Sequence, residues 1–159
     1  DVSFSDSYVI YVGTGYGVQR LFIFPGDVVY KSLDCGDTLI NVGLKDPRLT
    51  ARILIHPRDA NIVYVAAMGD MFGPNADRGI YRTRDGGETW ELKRKGLPQE
   101  NAHLTILREA MDADAYKPVG VYFGTSTGQL FYSRDGGEHW HTLAQHLPSV
   151  YSVSVGAGV

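Results

Sequence analysis

Thr83-Arg84-Asp85-Gly86-Gly87-Glu88-Thr89-Trp90 is the stretch whose reading decides the fold. Ser133-Arg134-Asp135-Gly136-Gly137-Glu138-His139-Trp140 repeats it, and Ser32-Leu33-Asp34-Cys35-Gly36-Asp37-Thr38-Leu39 is a looser copy. The aspartates Asp34, Asp85 and Asp135 lie 51 and 50 residues apart. A near-constant period of that size marks an architecture built from one supersecondary unit per repeat. Within the box the chemistry is that of a tight turn. An Asp side chain can accept hydrogen bonds from turn amides, a Gly-Gly pair can take positive φ angles, and a Trp opening the next strand can pack its ring between neighbouring sheets. Ser32, Asp34, Gly36, Thr83, Asp85, Gly87, Trp90, Ser133, Asp135, Gly137 and Trp140 are therefore read as structural. In the first copy Cys35 replaces a glycine and Leu39 replaces the Trp, so that unit should be the least regular.

The flanks repeat as well. A short strand precedes each box (28–30, 79–81, 129–132), and before it comes another ending in small residues (9–13, 62–66, 121–124). An earlier strand is expected at 52–56 and 104–107, and a last one after each box at 38–43, 89–93 and 139–144. Four short strands in about 50 residues make the blade of a β-propeller. Named A to D from the channel outward, they place the box at the C-to-D turn. The expected fold is all-β: three four-stranded blades at 8–45, 51–94 and 102–146 in one propeller segment. The first blade would lack strand A, which 151–155 would supply as a closing strand. Arg108 to Lys117 is the one helix-like stretch and is expected to form a short helical turn.

The three boxes resemble the Asp-box, or BNR, repeat of sialidases, sortilin-like (VPS10) propellers, some glucanases and photosystem II assembly-factor-like proteins. Residues from about Tyr8 to Glu91 look most like bacterial sortilin-like propellers of glycosyl-hydrolase type. Those from about Gly96 to Val155 look more like a second group of bacterial Asp-box proteins, and the change near Lys93–Pro98 suggests a mosaic of the two. The resemblance is specific for the blade and poor for activity. It implies a secreted or periplasmic setting.

Three blades are fewer than the four to eight that usually close a ring, and an open arc would expose two apolar sheet faces. A homodimeric six-bladed propeller with exchanged terminal strands is one expectation, two-fold symmetry being the commonest oligomeric solution. A piece of a longer propeller is the other.

Composition bounds the rest. The 159 residues are 43% hydrophobic and 21% charged, as in a folded domain. Glycine, at 19, is well above the usual share of about 7%, and there are 10 tyrosines, in keeping with many short strands. A formal charge of −3 argues against a dedicated nucleic-acid binder. No apolar run reaches the roughly 18–20 residues of a membrane-spanning helix. Asp1 to Phe4 do not read as a signal peptide, although the missing initiator Met leaves room for one removed. The single cysteine, Cys35, excludes an internal disulfide and any multi-cysteine metal site.

In a propeller the D-to-A and B-to-C loops share one face, opposite the boxes. Its candidate ligand-binding residues are Tyr16, Arg20, Arg52, Asp70, Asp77, Arg78 and His103. Long loops on a rigid scaffold are where function concentrates, and the first two B-to-C loops (15–26 and 69–79) are long. The run 21–24 reads as packing over the ring edge or, alternatively, as a hydrophobic wall. A sialidase would clamp a carboxylate with three arginines and use a Tyr nucleophile, but no spacing here identifies that set. A glycosidase needs two carboxyls at a defined separation, for which Asp46, Asp70, Asp77 and Glu100 are available by type. His139 and His141 flank Trp140 on one strand face without an evident third ligand, so no metal and no cofactor is expected. The reading is a non-catalytic scaffold or binding module for a carbohydrate or peptide. A sialidase-like or glucanase-like glycoside hydrolase is the alternative, and a sortilin-like receptor that binds peptide in its tunnel is a third class.

Overall fold

A computed structural model describes residues 1–15, 26, 29–44, 49–69, 76–99 and 104–156. The described residues form strands and turns, with no helix among them. The strands are β1 (Ile10–Gly13), β2 (Val29–Ser32), β3 (Ile40–Asn41), β4 (Thr50–His56), β5 (Asp59–Ala67), β6 (Gly79–Thr83), β7 (Glu91–Lys93), β8 (Met111–Ala113), β9 (Val121–Gly124), β10 (Leu130–Ser133) and β11 (His141–Ala144). They make three antiparallel meanders, ordered β1-β2-β3, β4-β5-β6-β7 and β8-β9-β10-β11. Each is a propeller blade. The chain divides into two compact units, Asp1–Leu92 and Lys93–Val159.

In the first unit, register shows how two blades pack. β1 and β2 pair Tyr11 with Lys31 and Gly13 with Val29, which puts Tyr11 and Val29 on one sheet face. β5 and β6 pair Val65 with Tyr81, which puts Val63, Val65 and Tyr81 on one face of the second blade. These two faces meet in a core of Val9, Tyr11, Val29, Ile53, Ile55, Val63 and Val65, with Val42, Tyr81 and Trp90 against it. Burying a residue of this size contributes about 1.5–3 kcal/mol, so the blade-to-blade seam is a substantial apolar core of the unit. Close approach at the seam fixes Gly87: its φ is +100°, and a Cβ there would lie 2.7 Å from the Val42 Cβ.

The first blade's inner edge departs from the sequence reading. Asp1–Ser3 occupies it: Val2 bridges Ile10 antiparallel, the Asp1 ammonium donates to the Tyr11 carbonyl at 2.8 Å, and the Tyr11 amide donates to the Asp1 carbonyl at 2.9 Å. The segment 151–155, expected to close that edge, lies within the second unit. Ser152 bridges Glu109 in parallel, and the Val153 amide donates to the Glu109 carbonyl at 2.8 Å. The N-terminal residues already satisfy the β1 amide and carbonyl that an exchanged strand would have to take.

The third blade carries a second correction. Residues 104–107 form no strand, and 108–117 form no helical turn. The innermost strand is β8, which pairs Met111 with Phe123 and Ala113 with Val121. Met111 is buried there, and the Ala110 carbonyl accepts the Gly124 amide at 2.8 Å. Pairing and burial override the helical propensity of an Ala-, Glu- and Met-containing stretch.

Candidate functional site

The three boxes fold alike. In each, the opening hydroxyl (Ser32, Thr83 or Ser133) donates to the Asp two residues on at 2.7–2.8 Å. The same oxygen accepts the amide of Gly36, Gly87 or Gly137 at 2.8 Å. The Asp then accepts the amide four residues on, from Thr38, Thr89 or His139, at 2.9–3.0 Å. Its second oxygen takes the side chain of that same residue: the hydroxyls of Thr38 and Thr89, and the His139 Nδ1 at 2.7 Å. The Thr38 hydroxyl and amide, with the Ser32 hydroxyl, hold the Asp34 carboxyl down to about 2. The Thr89 and Thr83 hydroxyls hold Asp85 far below the carboxylate range. Partial burial pushes Asp135 upward, but the His139 amide, the Ser133 hydroxyl and the His139 ring outweigh it and leave the group at about 2. These aspartates are turn staples, ionised at any ordinary pH and committed to donors of their own turn.

Positive φ explains the glycines: Gly86 and Gly136 both sit at +72°. Cys35, their counterpart in the first box, is held at +60°, a conformation that costs a non-glycine residue roughly 1–2 kcal/mol. The irregular first box is therefore strained at the position where its sequence departs.

The opposite strand ends form the candidate ligand face. In the first unit, Thr50 of β4 lies against Gly13, whose Cβ would fall 2.6 Å from its methyl. The Met68 amide donates to the Leu49 carbonyl at 2.9 Å, and the Met68 carbonyl accepts Arg78 Nε at 2.9 Å. Tyr81 donates its hydroxyl to the Asp77 carbonyl at 3.0 Å. Asp77 and Arg78 are thus anchored by main-chain bonds at the foot of their loop. Arg52 lies one pair further in, opposite Ala66, and its Nε is buried with no acceptor among the described residues. The Asp1 ammonium is pushed below its ordinary value by burial and then by the Arg52 charge. His56, at the other end of β4, is lowered by burial and by Arg58, with Asp59 opposing. The structure thus brings Arg52, Asp77 and Arg78 to one end of the second blade. Tyr16, Arg20, Asp70 and His103 lie outside the described residues, as does the run 21–24.

In the second unit the equivalent end is closed by its own chain. The Leu147 amide donates to the Gly128 carbonyl and the Val150 amide to the Thr125 carbonyl, both at 3.0 Å. Thr125 and Thr127 each donate to Gln129 Oε1 at 2.6 Å.

Two polar groupings were missed in the sequence. Lys31 Nζ sits 5.4 Å from the centre of the Tyr11 ring, at the seam where Tyr11 donates to the Ala60 carbonyl at 3.1 Å. Burial, Asp59 and Asp85 push the Tyr11 phenol up to about 12. The buried Asp114 accepts the Gly120 amide at 2.8 Å and the Tyr122 hydroxyl at 2.9 Å, with Arg134 at 3.5 Å. Burial pushes the Asp114 carboxyl upward, but those donors and the Arg134 charge leave it below its ordinary value. The recurring tyrosines 11, 64 and 122 were the available signal. Among the described residues no cluster of three His, Cys, Asp or Glu side chains could hold a metal ion.

Boxes, blade topology and register together define a β-propeller protein built from Asp-box repeats. The family model described as BNR/Asp-box repeat matches residues 81–92 and 131–142, the second and third boxes. Among solved structures the chain is similar to an ancestral GH74 enzyme, at TM-score 0.64 and 15% identity over 94% of this chain and 18% of that one. It is also similar to YCF48 from Cyanidioschyzon merolae (TM-score 0.59, 17% identity, 90% of this chain and 35% of that one). YCF48 bound to D1 peptide gives TM-score 0.51 and 13% identity over 94% of this chain and 47% of that one. The chain spans less than half the length of each of these proteins. No curated protein matches its sequence.

Proposed function

We propose that the chain is a non-catalytic propeller scaffold whose second blade binds an extended peptide at the strand ends that carry Arg52 and Arg78. The observation that carries this reading is the Arg52 guanidinium, whose buried Nε has no acceptor among the described residues, at the end of the sheet where Arg78 is also anchored. A peptide carbonyl or carboxylate would satisfy it, and charge-assisted bonds of this kind are about twice as strong as neutral ones. The box carboxylates are consumed by their turns and supply no acid or base. YCF48, which shares the blade fold, has a structure bound to D1 peptide, which makes a peptide the favoured ligand class.

The competing reading is glycoside hydrolysis, favoured by the likeness to a GH74 enzyme and by Asp77 at the same rim. The two separate in one assay. The scaffold releases no reducing sugar from β-glucans above a no-protein control. Turnover that vanishes in Asp77→Asn would replace the scaffold with an enzyme.

A further inference from the structure

We propose that Asp85–Gly86 and Asp135–Gly136 are covalent modification sites, which isomerise to isoaspartate when their boxes open and are protected while the boxes are folded. An Asp-Gly pair stands at the same step of the second and third boxes. The chemistry is internal to such a pair. The glycine amide nitrogen attacks the aspartate Cγ, the N–Cγ bond forms, and a Cγ–O bond breaks. That oxygen leaves as water, taking the carboxyl proton and the amide proton. Water then opens the resulting cyclic imide at the main-chain carbonyl, and the backbone now runs through the side chain. Nothing is oxidised or reduced, and water is the only co-reactant. Glycine favours the attack because it has no Cβ beside its nitrogen. The first box has Cys35 after Asp34 and so lacks the Asp-Gly pair.

The folded box withholds the reacting groups. One Asp85 oxygen accepts the Thr83 hydroxyl at 2.7 Å and the Thr89 amide at 2.9 Å, and the other accepts the Thr89 hydroxyl. The Gly86 amide is itself bound to the Asn61 carbonyl at 3.0 Å. In the third box Asp135 is held by the Ser133 hydroxyl at 2.8 Å, the His139 amide at 3.0 Å and the His139 ring at 2.7 Å. Attack at Cγ needs a carboxyl that can turn toward the next amide and shed an oxygen, and three partners on one carboxylate oppose both. Gly86 and Gly136 share a φ of +72°, so the two pairs are held in one conformation. Once formed, isoaspartate lengthens the backbone by a methylene and leaves the carboxylate on the α-carbon, so the bonds to Thr83 and Thr89, or to Ser133 and His139, do not re-form. The modified turn is then a substrate for an enzyme that methylates isoaspartyl carboxylates. This inference stands apart from the peptide reading, which leaves the box carboxylates unused.

The test is to age the intact chain in warm neutral buffer, with and without urea. Isoaspartate is then mapped peptide by peptide through methyl transfer from labelled S-adenosylmethionine by an isoaspartyl methyltransferase. In urea it should accumulate at Asp85 and Asp135, and more slowly at Asp34. In native buffer it should form at Asp85 and Asp135 roughly a hundredfold more slowly, because only the open population reacts. Thr89→Val keeps the amide and deletes the hydroxyl bond, so it should raise the native rate at Asp85 about tenfold and leave Asp135 unchanged. His139→Ala should do the reverse. Equal rates in the two buffers would overturn the proposal, as would an absence of isoaspartate at Asp85 and Asp135 in urea or variants that move neither site. A variant that accelerates both sites together would place the control in whole-chain unfolding and would also overturn it.

Discussion

Trp90 Nε1 donates to the Val42 carbonyl, and so ties the start of one blade's outer strand to the outer strand of the blade before it. Trp140 holds the same place in the third box, but its buried indole nitrogen has no acceptor among the described residues. The two positions should respond differently to Trp→Phe. At Trp90 the change removes a bond and strands the Val42 carbonyl, costing about 1–2 kcal/mol. At Trp140 it removes a buried donor with no acceptor among the described residues, so the cost should be smaller. Urea unfolding of the two variants measures the contrast.

Backbone conformation gives the second prediction. Gly87→Ala places a Cβ against Val42 at a φ of +100° and should destabilise the protein by about 3 kcal/mol. Cys35→Gly relieves a residue held at +60° and should stabilise it by about 1 kcal/mol. Thermal melting should move in opposite directions for the two.

The box carboxylates set the acid limit. Asp34 and Asp135 titrate near 2 in the folded chain, and Asp85 lower still, against about 3.9 when unfolded. Groups depressed on folding stabilise the fold above the unfolded value and lose that contribution as pH falls through the folded one. The melting temperature should be flat with respect to these groups above about pH 5 and should fall between about pH 4 and pH 2. Asp135→Asn should shrink the acid-dependent part of that fall.

Much of the blade was legible because the box is local chemistry: a hydroxyl, an Asp and a glycine bonding within one turn. The four strands of the second blade followed from the repeat of short segments around the boxes. What escaped the sequence was non-local. Residues 108–117 look helical, and it is pairing with β9 that makes Met111–Ala113 strand instead. Asp1–Ser3 carries no strand signal, and its place beside β1 depends on the amide and carbonyl of Tyr11. Arg52 was visible as a candidate ligand-binding cation in the strand at 52–56, but the burial of its Nε without an acceptor among the described residues is a property of the packed sheet.

Asp114 offers a fourth test. Tyr122→Phe removes one of its donors while it stays buried, and should cost about 1–2 kcal/mol. Arg134→Ala removes a partner that is half exposed and should cost less. Chemical denaturation of the two variants checks the order.

The most direct test of the scaffold account is equilibrium binding of the intact chain to an array of extended peptides, run beside Arg52→Ala and Asp85→Asn. The account predicts saturable binding that Arg52→Ala weakens at least tenfold and that Asp85→Asn, once its folding is verified, leaves unchanged. Peptide binding indifferent to Arg52, or lost with the box aspartate in a folded protein, would contradict it.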